Sequence, residues 1–303
     1  MLVRVAKWVG GFIGVTVFCT ATIGGYYLFS VLPEMHEPPR QIVEKISAQA
    51  AHNNQRPRSA YSGKHPSQIQ RPHDSFQYPI AIGQQGPVEP LFAGELTYPL
   101  WCGSNRVSGE QPIVDNQEGY GIPIFFENND GEQTDEVVGY SKDCGHPTRA
   151  QYYYLNANDQ RFYALNKRDP EHVIAQVKLD GYAIDFVVRV ETGTINRHFY
   201  AMAVLRGENE TISVPRGDYW NKKLIYQFRG GVGIGKRQGN IKPSDILKRR
   251  KDQLREGFAV VYSSANQTSN HYNMWLAEDT ALRVKKQFES LYGEPLYTVG
   301  VGG

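Results

Sequence analysis

Hydrophobic and polar positions are unevenly distributed along the 303 residues. From Trp8 to Leu32, WVGGFIGVTVFCTATIGGYYLFSVL, no residue is charged, and roughly 20 such residues cross a bilayer as a helix. Arg4 and Lys7 precede this stretch, which predicts a cytoplasmic N-terminus and an exported body. A cleaved signal peptide is the competing reading, but its apolar region is usually about 7 to 15 residues long and ends in a small-x-small site. Thr20-Ala21-Thr22 matches that site only weakly, and the apolar run continues past it. Residues 1–32 therefore read as a transmembrane signal anchor. The expectation is a membrane-anchored protein with its C-terminal domain periplasmic or extracellular.

From Pro33 to Gln85 the pattern loses its large apolar positions and becomes rich in Pro, Gln, Asn, His and Ser. Such a segment cannot bury enough surface to offset its ordering entropy, so 33–85 reads as a disordered linker. His52, His65 and His73 within it are scattered and read as solvated. Residues 86–180 carry short strand-like runs, among them GIPIFFE, EVVGYS, QYYYLN and RFYAL, between dense turn signals. They predict an irregular, β-rich region. NNDGEQTDE lacks the alternating acidic ligands and closing Glu of a calcium loop, and reads as a turn.

After Gly181 the pattern becomes regular. AIDFVVRVE and RHFYAMAVLR flank TGTIN and predict an antiparallel hairpin, and KLIYQF follows as a buried strand. PSDILKRRKDQLREG predicts a helix capped by Ser244 and stopped at Gly257, with Ile246, Leu247 and Leu254 inward. FAVVYS is the next strand. AEDTALRVKKQFESLYGEP is a second helix, with Ala281, Val284, Phe288 and Leu291 on one stripe and Gly293 and Pro295 at its end. LYTVG is the third strand. Strand, helix, strand, helix, strand is the pattern of a parallel sheet with right-handed crossovers. Its last strand, Tyr297 to Val301, is expected to be an uncovered edge, which makes the isolated chain prone to association.

Composition changes this picture in two places. The formal net charge of +2 gives no bulk electrostatic case for nucleic acid as a partner. In an exported body Cys102 and Cys144 are expected to form one disulfide, because only His146 lies near enough in sequence to suggest a zinc site and structural zinc wants four ligands. No metal site is predicted.

Candidate chemistry sits in two glycine clusters at the C-terminal ends of the parallel strands, where open α/β sheets build their sites. The first is RGGVGIGKRQG, Arg229 to Gly239, and the second is Gly300, Gly302 and Gly303. Glycines let the backbone approach a ligand closely and aim N–H groups at developing negative charge. Both clusters fit the order of a Gly-rich oxyanion loop followed by a G-x-S-x-G nucleophile elbow. In that register Gly302 and Gly303 open the elbow and the nucleophilic serine comes next.

VETGTINRHFYAMAVL, KLIYQFRGGVGIG, EGFAVVYSS, LAEDTALRVKKQFESLYGEPLYTVGVGG and, upstream, QPIVDNQEGYGIPIFFE with VVGYSKDCGHPTRAQYYY together resemble a secreted microbial family of unknown function. That family looks related to the α/β-hydrolases, near tannase-like and hydroxybutyrate-oligomer esterases, and the resemblance spans roughly Pro87 to Gly303. It implies an α/β fold, with 181–303 as the N-terminal half of an α/β-hydrolase-like, mostly parallel sheet. It also implies a truncation at the elbow, since the family continues with Ser-Gly-Gly and supplies an acid and a histidine later. His271-Tyr272-Asn273-Met274 departs from the more polar loop expected there.

The resemblance implies cleavage of a small-molecule ester through an acyl-serine, with Gly230 and Gly231 as backbone oxyanion donors and Arg229 lining the pocket. That chemistry requires no metal or organic cofactor. Ser263 and Ser264 lack glycine neighbours and are not nucleophile candidates, and no histidine is assigned as base, so the chain as written is expected to be inert. Two other readings stay open. GGVGIGKR satisfies G-x-x-x-x-G-K, but Arg237 replaces the Ser or Thr that would hold magnesium in a phosphate-binding loop. A non-catalytic, membrane-tethered binding module would carry the same tight glycine turns.

Overall fold

The computed structural model describes residues 71–302 apart from 97–99, 104–110, 129, 131, 166–172, 180 and 233–235. The expected signal anchor and most of the expected linker lie outside the described residues, as does Gly303. Among the described residues no helix is long and apolar enough to cross a membrane. The membrane-anchored placement is corrected accordingly: no described helix supports it.

The centre of the body is a hairpin of β7 (Val187–Ile195) and β8 (His198–Leu205), in which every residue is buried. Burial on both faces explains why the sequence reads as near-continuous β-formers rather than as a clean alternation. The expected turn at TGTIN is strand instead: Thr192 to Ile195 pair with Ala201 to His198. The chain reverses at Asn196 and Arg197, with φ of 52° and 65°. Two successive left-handed residues make the two-residue turn whose twist matches flanking strands, and asparagine tolerates that conformation. Asn196 is also fixed from outside, donating to Asp279 Oδ1 and Thr280 Oγ1 at 3.0 Å each.

Three later strands complete one side of the sheet: β9 (Lys223–Arg229), β10 (Ala259–Gln267) and β11 (Tyr297–Val301). On the other side stand β3 (Arg149–Leu155) and β4 (Phe162–Ala164), giving the order β11-β9-β10-β8-β7-β3-β4. β9 is parallel to β10 and β11, as the pattern predicts. The sheet as a whole is mixed, because β10·β8, β8·β7, β7·β3 and β3·β4 all pair antiparallel. The expectation of a mostly parallel sheet is thus corrected: the irregular region feeds two strands into the sheet beyond the hairpin. Two small hairpins lie apart, β1 (Ile122–Glu127) with β2 (Gln133–Ser141) and β5 (Gln176–Leu179) with β6 (Tyr182–Asp185). Asn128 Oδ1 accepts from the amides of Asp130 and Glu132 at the first hairpin's tip, the Asx-type turn expected of NNDGEQTDE.

Helices cover both faces. Between β9 and β10 run α1 (Pro243–Arg249) and α2 (Lys251–Arg255), and between β10 and β11 runs α3 (Met274–Tyr292). Ile246, Leu247 and Leu254 of the short helices pack with Val188, Ala203, Ile225 and Val260, while Val284, Phe288 and Tyr292 of α3 pack with Met202, Leu224 and Val261. Each such side chain, fully buried, contributes about 1.5–3 kcal/mol. The cap of α1 is Lys242 with Pro243 next, rather than Ser244; proline's fixed φ and missing N–H suit the first helical position. α3 starts earlier than its apolar stripe suggests, because Asn273 caps it by accepting from Leu276 N at 3.1 Å.

Residues 71–85, whose composition resembles the linker, belong to the packed body: Ile80 is buried against Tyr200 and Val284, and Asp74 pairs with Arg283 at 3.1 Å. Cys102 and Cys144 form the expected disulfide, with Cα atoms 5.3 Å apart.

Candidate functional site

The chain leaves β9 toward α1 and α2 on one face of the sheet, and leaves β10 toward α3 on the other. Adjacent parallel strands whose connections depart to opposite faces open a crevice at their C-terminal ends, the place where open α/β sheets bind ligands. The strands also part there. β10 advances from Tyr262 to Gln267 while β9 advances only from Gln227 to Arg229. The resulting crevice, about 530 Å³, is lined by Phe228 and Arg229 from β9, Ala265 to Thr268 from β10, His271 to Trp275 from the loop, and Ala277, Glu278 and Ala281 from α3.

Its wall is mostly apolar and fixed by a few polar ties. Asn266 accepts from Tyr226 Oη at 2.7 Å and donates to Ala277 O at 2.7 Å, which joins β9, β10 and α3. Burial raises the Tyr226 phenol well above its ordinary pKa, so it remains a neutral donor. The ring of Phe228 stacks on Tyr226 at 4.8 Å, and the Arg229 guanidinium lies 5.2 Å from the centre of the Tyr262 ring. His271 is buried beside His198, with ring centroids 5.0 Å apart. Burial lowers the pKa of His271, opposed by the Ala265 carbonyl, and takes His198 down to about 3, so both rings are neutral near pH 7.

The described residues of both glycine clusters, Gly230 and Gly231 after β9 and Gly300 and Gly302 on and after β11, lie at this end of the sheet. Gly230 and Gly231 are exposed and lead directly off β9. Gly231 has φ +126°, and a Cβ there would lie 2.8 Å from Ser269 Cβ, so the backbone takes a path open to glycine alone. Thr268 secures this stem by donating its amide to Arg229 O at 3.2 Å and its hydroxyl to Gly231 O at 2.7 Å. Gly300 pairs with Tyr226 across the sheet. A Cβ on Gly300 would reach the Phe228 ring at 3.3 Å, and one on Gly302 would reach Phe228 Cβ at 3.5 Å. Phe228 therefore packs against the second cluster, and β11 is the sheet edge.

Ser263 and Ser264 are fully buried within β10. Ser263 Oγ donates to Phe199 O at 2.9 Å and Ser264 Oγ to Gln238 O at 2.5 Å, so their hydroxyls hold backbone. The phosphate-loop alternative loses its geometry, because the next helix starts at Pro243, well beyond Arg237. Among the described residues no group of three or more His, Cys, Asp or Glu could hold a metal ion.

Sequence reasoning missed the crevice's aromatic wall of Phe228, Tyr272 and Trp275; the signal was HYNMW in the loop after β10. A larger cavity of about 670 Å³, with Tyr182, Trp220 and Glu256 in its wall, lies at the opposite end of β9 and β10, away from both glycine clusters. Among the described residues the smaller crevice is the candidate site, because it opens where β9 and β10 part and is lined by Arg229, from which the Gly230–Gly231 stem leaves β9.

A family model described as a tannase-like family of unknown function matches residues 80–303. No curated protein and no solved structure matches the chain.

Proposed function

The chain belongs to the tannase-like family of unknown function, and from that premise we propose that residues 181–303 form the oxyanion side of an α/β-hydrolase-type ester hydrolase site. The observation that carries the reading is the order β8-β10-β9-β11. A hairpin strand antiparallel to the next, followed by crossovers to opposite faces, is the layout of an α/β-hydrolase sheet up to its nucleophile elbow. The Gly230–Gly231 stem then occupies the place of the loop that donates to the oxyanion.

In this reading the substrate is a small-molecule ester whose carbonyl oxygen lies against the Gly230 and Gly231 amides and whose apolar portion rests in the crevice beside Phe228 and Trp275. The nucleophile is a serine at an elbow off the C-terminal end of β11, beyond Gly302 and Gly303. Its oxygen attacks the carbonyl carbon, and the amides stabilise the charge that develops. Collapse breaks the ester C–O bond and expels the alcohol, which takes up the proton the serine gave; water then adds to the acyl-serine, releasing the acid and returning a proton to the serine oxygen. Arg229 lines the crevice and steers an anionic or polar substituent.

The test is hydrolysis of a panel of p-nitrophenyl and phenolic esters by the protein expressed from its full open reading frame, together with labelling by a fluorophosphonate. Turnover and covalent labelling of one serine are expected. Absence of both overturns the hydrolase reading and leaves a binding module built on the same crevice.

A further inference from the structure

We infer that the Cys102–Cys144 disulfide and the side chain of Gln238 form a strut that positions the glycine loop, with Gln238 as a positioning residue; the inference rests on the reading of that loop as the oxyanion element. The loop's first stem, Arg229 to Val232, is held by Thr268. Its return stem, Lys236 to Gly239, is held by a different device. Trp101 N donates to Lys236 O at 2.8 Å and Gln238 N donates to Trp101 O at 2.9 Å, so Trp101 and Arg237 form a parallel bridge. The contact is close: a Cβ on Gly103 would lie 2.4 Å from Gly239 O.

Gln238 is fully buried and spans the disulfide. Its Oε1 accepts from Gly103 N at 2.9 Å, one residue past Cys102, and its Nε2 donates to the Cys144 carbonyl. Cys144 is itself rooted in the central hairpin, since two residues on His146 N donates to Thr194 Oγ1 at 3.0 Å and Thr194 returns a bond to His146 O. A continuous path therefore runs from β7 through Cys144 and Cys102 to the return stem. On the other flank Arg237 N donates to Asn270 O at 3.2 Å.

A glycine-rich loop has no intrinsic preference for one backbone path, so its shape must be imposed from outside. Amide donors that serve an oxyanion have to sit within a fraction of an ångström of their place. The strut fixes the return stem, Lys236 to Gly239, from a covalent cross-link remote in sequence, and so sets where the loop that begins at Gly230 and Gly231 must end.

The test uses the protein from its full open reading frame and three perturbations: Gln238→Met, which keeps the length and loses both hydrogen bonds; the double variant Cys102→Ser/Cys144→Ser; and wild type reduced with tris(2-carboxyethyl)phosphine. Amide hydrogen exchange over 229–239 is expected to rise about tenfold or more while β7 and β8 stay protected. For p-nitrophenyl ester hydrolysis kcat is expected to fall about 10- to 100-fold with KM within about twofold, the signature of misplaced transition-state donors. Unchanged exchange over 229–239, or raised exchange with unchanged kcat, overturns the strut. If wild type hydrolyses no ester, the oxyanion reading fails separately and exchange alone decides the strut. Should a variant lose protection throughout the sheet, the reduced wild-type protein decides.

Discussion

The two faces of the central sheet are covered by helices of very different kinds. Under α1 and α2 the core is largely apolar, with Ile246, Leu247 and Leu254 on Val188, Ala203 and Val260, and Arg250 between the helices donates to Gln227 Oε1 at 2.6 Å. Under α3 it is threaded by charge. Arg189 and Glu191 pair at 2.9 Å with both side chains almost completely buried, Glu191 also accepts from Tyr200 Oη and Gln287 Nε2, and Asp279 accepts from Asn196 and from the Phe92 amide. Apolar packing is non-directional and tolerates two short helices with a break at Arg250. Buried polar ties are directional, so they fix the register of the 19-residue α3 against β7 and the hairpin turn. That register determines where the α3 N-terminus and the wall of the crevice stand. The polar face gives position more than net stability, since a buried ion pair often does no better than an apolar replacement.

If that contrast is right, the largest loss comes from breaking one partner of the polar face. Arg189→Met strands the Glu191 carboxylate in the core and is expected to cost about 3–5 kcal/mol in urea unfolding, whereas replacing both residues by apolar ones recovers much of it. On the dry face Leu254→Ala is expected to cost about 3 kcal/mol through a simple cavity, with no shift of the crevice resonances in NMR.

Acid separates the elements further. His146, packed against Phe199 with ring centroids 4.9 Å apart, is lowered by burial to about 4, His198 to about 3, and His271 is lowered as well. Their folded values lie below the unfolded value near 6.5, so the unfolded chain binds more protons between them. Stability is therefore full above about pH 6.5 and falls on acidification, by about 1.4 kcal/mol per histidine for each pH unit while the folded ring stays neutral. Thermal midpoints from pH 7.5 down to 4.5 check the slope, and His198→Phe should reduce it. The smallest effect is expected at the α3 cap, where Asn273→Ala costs about 1 kcal/mol and frays the helix end at the crevice.

Much of the functional half was legible because its patterns are local. The β9, β10 and β11 strands, Gly257 and Gly293 as helix stops, and the glycine clusters follow from runs of β-formers and turn chemistry. What escaped was non-local. α3 buries Asp279, Arg283 and Gln287 beside its apolar stripe, since their partners Asp74, Asn196 and Glu191 come from distant segments. The joining of β3 to β7 depends on pairing across the irregular region, which periodicity does not encode. Gln238 looks like an ordinary polar loop residue until the disulfide brings Gly103 and Cys144 to its two ends.

The Gly230–Gly231 stem is proposed to stabilise the charge that develops on an ester carbonyl. The most direct test is kcat for p-nitrophenyl ester hydrolysis by the protein from its full open reading frame, as wild type and as Gly230→Pro, which removes one candidate donor. A fall of about 100- to 1,000-fold in kcat, with the thermal midpoint nearly unchanged, is the expected result. An unchanged kcat in the folded variant would contradict the account.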